Sequence, residues 1–307
     1  MYHRFFGLKE LPFTLSPDTD FFFAYGHYAN ALNTLTVALR TGEGFIKVTG
    51  EVGTGKTLLC RKLLNTIGKN FTAIYIPNPQ LSPHGLQIAL AEELGLPISR
   101  YTHHLLKQIT DRLIELTEKG QRVVLCIDEA QAMPKETLEA LRLITNLETE
   151  KQKLIQVVLF GQPELDVSIN DPAVRQLKQR ITFSYHLEPL QKNEMEAYIQ
   201  YRLRVAGFAG VQLFNDDALS AIHRASHGIP RLVNILSHKS LMVAYGQGQR
   251  LISNVHAELA IRDTTDIQCS NPTMDHWKNT LWWLSASSAL FAAMASIATY
   301  YIMQFPK

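Results

Sequence analysis

The sequence predicts an α/β protein with a mostly parallel sheet, a smaller helical domain after it, and one C-terminal transmembrane helix. Short apolar runs alternate with helical patterns over residues 41–189, which is typical of a parallel sheet with helices on both faces. Only helical patterns follow over 190–263, and an uncharged segment occupies 281–303. Residues 1–40 are predicted to form an N-terminal arm and first helix, and 264–280 a polar linker.

The composition is that of a folded protein rather than a disordered one. The chain has 307 residues, of which 46% are hydrophobic and 19% are charged, enough for about two domains with their own cores. Its 30 basic and 28 acidic side chains leave a formal net charge of +2. This balance lacks the basic excess that is typical of nucleic-acid-binding proteins.

The arm and the elements of the first domain can be placed in chain order. The aromatic and proline-rich stretch "FFGLKELPFTLSPDTDFFF" precedes a helix whose apolar side chains from Tyr28 to Leu39 share one face. Strands are predicted at "FIKVT", "FTAIYI", "RVVLCIDEA", "KLIQVVLFG" and "ITFSYHL". Of these, "RVVLCIDEA" and "KLIQVVLFG" are predicted to be buried. Helices are predicted after the first strand, from Ser82 to near Gly95, at 103–119 and at "PKETLEALRLITNLE".

The second domain is predicted to contain four helices. They correspond to "NEMEAYIQYRLRVAG", "NDDALSAIHRASHG", "PRLVNILSHKSLMVAYG" and "SNVHAELAIRD".

The segment "GEVGTGKT" matches the phosphate-binding pattern GxxxxGK[ST] between a predicted strand and a predicted helix. Its glycines allow backbone N–H groups to surround phosphate oxygens, while Lys56 supplies a positive charge and the Thr57 hydroxyl a Mg²⁺ ligand. The alternative is a glycine-rich turn with a solvated lysine. The predicted nucleotide-binding residues are Gly50, Glu51, Val52, Gly53, Thr54, Gly55, Lys56 and Thr57.

Two acidic residues end the strand "VVLCIDEA", where the ligand crevice of a parallel sheet is expected. Asp128 is predicted to hold Mg²⁺, and Glu129 to orient or deprotonate the water that attacks the γ-phosphate of ATP. The alternative is an acidic N-cap for the helix that starts near Pro134.

Two further positions are typical of a site that senses its nucleotide. Gln162 follows the strand "IQVVLF" and could reach the γ-phosphate or the attacking water; a simple turn residue is the alternative. Arg231 lies in the first turn of the helix opened by Pro230, where the helix dipole disfavours a cation. A bound phosphate would resolve this conflict.

The segment "RQLKQR" precedes the last predicted strand and contains a candidate arginine finger. Arg180 is the first choice and Arg175 the second for a guanidinium that reaches a neighbouring subunit's nucleotide. A solvated basic helix end is the alternative.

Residues 281–303, "LWWLSASSALFAAMASIATYYIM", predict a membrane span. Twenty-three residues form a helix of about 34 Å, against a hydrocarbon thickness of about 30 Å. Residues 279–306 carry no charge, and aromatic residues lie near both ends, as at the two interfaces of a bilayer.

Taken in order, "FFGLKELPFTLSPDTDFFF", "GEVGTGKT", "VVLCIDEAQAM", "LFGQPEL", "LKQRI" and "GIPRLVN" resemble the ExeA/GspA-type AAA+ ATPases over about residues 1–265. The resemblance implies a P-loop NTPase sheet of the ASCE/AAA+ type with a helical lid. It also implies ATP hydrolysis with Mg²⁺, ring or dimer assembly, and the site roles given above. ExeA itself has a peptidoglycan-binding domain beyond its membrane helix; no such domain follows here, so direct cell-wall binding is not expected.

This resemblance implies a role in type II secretion or in assembly of a type IV pilus, and length favours the mannose-sensitive haemagglutinin (MSHA) type of pilus. The expected location is the bacterial inner membrane, crossed once, with the ATPase domain in the cytoplasm. An inner-membrane assembly protein is the expected partner besides other copies of the chain. The alternative function is a DNA-dependent ATPase that selects transposition targets, which the near-neutral charge and the predicted span disfavour.

Overall fold

The protein, described here from a computed structural model, is defined over residues 2–98, 102–148 and 153–264. Five strands form one sheet in the order β2-β3-β4-β1-β5, and each neighbouring pair is parallel. The strands are β1 (Phe45–Gly50), β2 (Phe71–Ile76), β3 (Arg122–Ile127), β4 (Ile155–Gly161) and β5 (Phe183–Leu187). The predicted α/β fold with a parallel sheet is confirmed.

The described part of the chain contains twelve α-helices, of which the last four form the helical region after the sheet. They are α1 (Tyr2–Phe5), α2 (Gly26–Thr41), α3 (Lys56–Thr66), α4 (Pro83–Glu93), α5 (Thr102–Glu118), α6 (Lys135–Ile144), α7 (Glu164–Ile169), α8 (Arg175–Lys178), α9 (Lys192–Val205), α10 (Asp216–Ser226), α11 (Pro230–Gly246) and α12 (Asn254–Arg262).

The inner strands β3 and β4 are buried on both faces of the sheet, which explains why they are nearly continuous apolar runs. The edge strand β5 is mostly exposed. In β3, Val124 and Cys126 join the core that includes α2, α3 and the helices after the sheet. Val123, Leu125 and Ile127 point the other way, into the core formed with α4, α5 and α6. Successive side chains of a strand face opposite sides, so a strand covered on both sides needs apolar residues throughout.

Local capping explains where α4 begins. The Ser82 hydroxyl accepts a hydrogen bond from the Gly85 backbone N–H at 3.1 Å, and Pro83 takes the first helical position as predicted.

The prediction that a helix covers all of "PKETLEALRLITNLE" is wrong at its end, because α6 stops at Ile144. The Thr145 hydroxyl donates to the Arg142 carbonyl at 2.8 Å, and Glu148 forms an isolated bridge with Lys153. Threonine side chains that bond the local backbone compete with helical hydrogen bonds.

The N-terminal arm packs against the helices that follow the sheet. Arg202 of α9 is buried, and its Nε donates to the Pro12 carbonyl at 2.6 Å. The Tyr2 hydroxyl lies 2.7 Å from Nδ1 of His238 on α11. The arm is therefore held to the helical region near its start and near its middle.

Across residues 2–98, 102–148 and 153–264, no helix is long and apolar enough to cross a membrane. The predicted span at 281–303 and all but the first residue of the predicted linker lie outside the described residues.

The strand order gathers the predicted site residues at one edge of the sheet. β1 lies between β4 and β5, and β3 is the next strand beyond β4. The carboxyl ends of parallel strands share an edge, so the segments that follow β1, β3 and β4 meet there.

Candidate functional site

The loop Gly50–Thr57 connects β1 to α3 at this edge. Gly53 and Gly55 have φ values of 83° and 91°, in the left-handed region that favours glycine. Backbone N–H groups of such a loop, placed at a helix N-terminus, form a concavity suited to anions.

Lys56 is the buried cation of this loop, with 5% of its surface exposed. Its Nζ donates to the carbonyl oxygens of Gly50 and Glu51 at 2.7 and 2.8 Å. Burial lowers the pKa of Lys56, and the charges of Glu129 and Asp128 oppose that effect. A buried ammonium whose hydrogen-bond partners are carbonyls is well placed for an anionic ligand.

The Tyr28 side chain of α2 stabilises the loop through a hydrogen bond. Its hydroxyl donates to the Thr54 carbonyl at 2.7 Å, and the Thr54 hydroxyl donates to the Glu51 carbonyl at 2.8 Å. Burial raises the pKa of Tyr28, so its hydroxyl remains a donor. The sequence predicts Tyr28 only as part of a buried helical face.

Asp128 lies directly after β3 with 2% of its surface exposed. One carboxylate oxygen accepts a hydrogen bond from the Tyr75 hydroxyl at 3.3 Å, and the other from the Glu129 backbone N–H at 3.0 Å. Burial raises the pKa of Tyr75 to about 12, and the charge of Asp128 adds to this. Tyr75 is therefore a stable donor that orients Asp128.

Glu129 has a left-handed backbone, with φ 50° and ψ 37°. This conformation is uncommon for a residue with a side chain and is frequent at functional sites. Its Oε2 accepts hydrogen bonds from Nε2 of Gln131 at 2.6 Å and of Gln162 at 3.2 Å. The structure thus brings the predicted residue Gln162 into contact with the predicted residue Glu129.

A cleft of about 510 Å³ borders the loop. Its floor contains Lys56 and Thr57, with Glu129 and Gln162 at one side. The arm and the helices after the sheet supply the remaining walls through Thr14, Leu15, Ser16, Pro17, Tyr198, Arg202, Pro230, Arg231 and Asn234. This volume is in the range of small-molecule sites.

Arg231 lies against the loop. Its backbone N–H donates to the Gly53 carbonyl at 3.1 Å, and its side chain lines the cleft. A Cβ at Gly53 would lie 2.7 Å from the Arg231 Cβ, so only glycine permits this approach. The first turn of α11 therefore rests directly on the anion-binding loop.

Neither candidate arginine finger lines the cleft of its own chain. Arg175 is exposed on α8, and Arg180 is half-buried, with one guanidinium nitrogen 3.4 Å from the Thr145 carbonyl.

The residues at the site fit a small hard cation. The Thr57 hydroxyl and the Asp128 carboxylate are oxygen donors of the kind Mg²⁺ prefers. In the described ranges, no group of three or more His, Cys, Asp or Glu side chains could hold a metal by itself. An ion at this site would thus need further oxygen ligands, and Mg²⁺ commonly takes them from water and substrate phosphates.

Several cleft residues are missed by the sequence analysis. Helical periodicity marks Tyr198 and Arg202 only as members of α9, and nothing in the pattern separates Asn234 from other polar residues of α11. In the structure, the Tyr198 hydroxyl donates to Asn234 Oδ1 at 3.0 Å and accepts from Arg202 at 2.9 Å. Gln131 is also missed, although it follows the acidic pair closely.

Known structures share this fold. The ORC2 protein of Aeropyrum pernix, solved in ADPNP and ADP complexes, is 17% identical, with a TM-score of 0.60 over 85% of this chain and 71% of that one. The Aeropyrum pernix ORC1 protein in complex with DNA is 17% identical, with a TM-score of 0.62 over 83% and 68% of the two chains. Cdc6p of Pyrobaculum aerophilum is 21% identical, with a TM-score of 0.58 over 81% and 68%.

Sequence comparison identifies the family. A family model described as AAA domain matches residues 39–167. General secretion pathway protein A of Aeromonas hydrophila is 42% identical over 263 residues, which cover 85% of this chain and 48% of that protein. The chain therefore spans about half the length of this relative. With the loop and the acidic pair already in place, these matches show that the chain belongs to the ExeA/GspA-type AAA family.

Proposed function

We propose that the chain binds and hydrolyses ATP in the cleft above the Gly50–Thr57 loop. The observation that carries this proposal is that Lys56 interacts electrostatically with the two acidic residues Asp128 and Glu129 at one edge of the sheet. A phosphate-binding loop alone supports binding; an acidic pair beside it supports cleavage.

Each residue has a defined task in this proposal. Residues Gly50–Thr57 hold the phosphates, with Lys56 as the cation, and Thr57 and Asp128 hold Mg²⁺. Mg²⁺, when bound, neutralises phosphate charge and orients the triphosphate. Glu129 positions the attacking water and accepts its proton.

Gln162 and Arg231 are proposed to report the state of the nucleotide. Gln162 contacts Glu129, and Arg231 links the first turn of α11 to Gly53. Loss of the γ-phosphate would change the charge that faces Arg231 and alter its contact with the loop. Arg231 would thus couple hydrolysis to movement of helices α9 to α12.

Arg180 is proposed to act on a neighbouring copy of the chain. It lies outside the cleft of its own chain, so a role in neutralising the transferring phosphoryl group requires a homo-oligomer. Arg175 is the second candidate for the same role.

We infer that this ATPase serves an assembly in the bacterial envelope, at the inner membrane. The relative named general secretion pathway protein A supports type II secretion, and an MSHA-type pilus is the second assembly we propose. The uncharged segment 281–303 supports a single-pass anchor with the ATPase domain in the cytoplasm. An assembly protein of that membrane is the proposed partner.

The test is to measure ATP binding and phosphate release by the full-length protein and by Glu129→Gln. The variant is expected to bind ATP with parental affinity but to lose at least about 99% of turnover, because a general base contributes roughly 10²–10⁴ in rate. Glu118→Gln removes an exposed carboxylate from the end of α5 and is the matched control.

Turnover of Glu129→Gln near that of the parent would refute the assigned role. Phosphate release that depends on added DNA, with binding that weakens steeply as salt rises, would favour the transposition-type alternative instead.

A further inference from the structure

Gln131 lies behind two cleft residues, Glu129 and Gln162, and uses both ends of its side-chain amide to contact them. Its Nε2 donates to Oε2 of Glu129 at 2.6 Å, and its Oε1 accepts a hydrogen bond from the backbone N–H of Gln162 at 3.0 Å. It therefore connects the residue after β4 to the proposed base after β3.

The backbone conformation around Gln131 allows this connection. It lies in a short 3₁₀ helix, Ala130–Ala132, that follows directly from the left-handed Glu129. The turn is closed by the Ala132 N–H, which donates to the Glu129 carbonyl at 2.9 Å. The positive φ of Glu129 folds the chain back, so two side chains only two positions apart can meet.

Gly161, at the end of β4, leaves the space that this amide needs. A Cβ at that position would lie 3.3 Å from the Gln131 Oε1 and 2.7 Å from Cδ2 of Leu165. Any side chain there would therefore crowd the contact between Gln131 and the residue that follows.

The two amides act on one oxygen of the Glu129 carboxylate. Both Gln131 and Gln162 donate to Oε2. Within residues 2–98, 102–148 and 153–264, no hydrogen-bond partner is found for the other oxygen, Oε1. Bonds to an ionised carboxylate are short and strong, so Oε2 fixes the orientation while Oε1 stays available to a water molecule.

We propose that Gln131 is a positioning residue that fixes Glu129 in the orientation needed to accept a proton and couples it to Gln162. This inference rests on the proposed ATP hydrolysis, which it deepens. Gln131 touches neither phosphate nor water in this role; it acts through Glu129. When Gln162 shifts, the backbone N–H held by Gln131 shifts with it, and the carboxylate turns.

The test uses Gln131→Met, which keeps the length of the side chain but neither hydrogen bond. In the full-length protein, kcat for ATP hydrolysis is expected to fall at least about tenfold, since a misplaced general base loses much of its contribution. The KM and the affinity for a non-hydrolysable ATP analogue are expected to stay within about twofold of the parent, because the variant leaves the Gly50–Thr57 loop intact. Gln249→Met, on an exposed glutamine far from the cleft, is the control.

A double-mutant cycle separates positioning from a general structural effect. If Gln131 acts through Glu129, adding Gln131→Met to Glu129→Gln should change the residual rate by less than about twofold. Equal effects in both backgrounds would overturn the inference, as would a kcat for Gln131→Met near the parental value. A parallel loss of analogue affinity would also overturn it. A parent that releases no phosphate would instead defeat the proposed hydrolysis, and the inference with it.

Discussion

At the scale of single residues, the buried charge of Lys56 lowers the stability of the fold and favours the binding of an anion. Burial lowers the pKa of Lys56. The unfolded chain therefore holds this proton more tightly than the fold does, and the charged lysine costs stability at neutral pH. That cost is relieved only as the pH rises toward the unfolded value. A phosphate ligand would supply the opposite charge that the buried ammonium lacks.

This reasoning predicts the behaviour of Lys56→Met. Its melting temperature without nucleotide should equal or exceed that of the parent, since the desolvated charge is gone. A non-hydrolysable ATP analogue at about 100 times Kd should stabilise the parent by about 2.7 kcal/mol, or roughly 5–10 °C, and leave the variant unchanged. Lys69→Met, on an exposed lysine beyond α3, should respond like the parent in the same thermal scan. An equal nucleotide-dependent rise in Lys56→Met would contradict the assignment.

The residues that carry chemistry differ in how far the sequence reveals them. Lys56 follows from a loop pattern, and Asp128 and Glu129 from their place after an apolar run, because both signals are local. Gln131 is not revealed, because its contact depends on the left-handed backbone of Glu129. That conformation has no marker in the sequence, where glycine or asparagine would be the usual sign of a positive φ.

At the scale of elements, strands β3 and β4 are predicted well because burial on both faces leaves a nearly continuous apolar run. Helix ends are harder, as α6 shows by stopping at Ile144, just before Thr145, whose side chain bonds the local backbone. The contact of the arm with α9 is also unpredicted. Its anchor, Arg202, is a charged residue that periodicity would place at a surface, yet it is 3% exposed.

Arg202 is the buried charged link between the arm and α9, beside the bonds from the Tyr201 hydroxyl to the Asp20 and Phe22 carbonyls, and this predicts the effect of Arg202→Met. The variant loses the bonds from the guanidinium to the carbonyls of Pro12 and Thr14, at 2.6 and 3.4 Å. Because hydrogen bonds of charged groups contribute about 1.5–3 kcal/mol, the arm should detach more often. Amide hydrogen exchange over residues 10–18 should rise, and ATP affinity should fall about tenfold as one wall of the cleft loosens.

The matched control is Arg204→Met, on an exposed arginine of the same helix. It should leave both exchange and affinity near parental values. Faster amide exchange of the arm without any change in ATP affinity would show that the arm does not contribute to ATP binding.

At the scale of the whole molecule, the ATP site and the predicted anchor are separate in sequence. All the residues placed at the cleft lie between Thr14 and Asn234, whereas the uncharged segment covers 281–303. The membrane should therefore hold the protein without taking part in nucleotide binding. Membrane localisation and ATP turnover should therefore be independent. A variant can lose either property and keep the other.

This independence gives the last prediction. In a bacterial host, the full-length protein should stay in the membrane pellet after carbonate extraction, because 23 uncharged residues suit a hydrocarbon core of about 30 Å. A chain that ends at residue 280 should move to the supernatant and keep the parental kcat for ATP. Replacing 281–303 by an unrelated apolar span of equal length should restore the pellet fraction; it should restore secretion or pilus assembly only if the segment serves as a simple tether. Release of the full-length protein by carbonate would contradict the proposed anchor. It would not contradict the proposed ATP hydrolysis in the cleft.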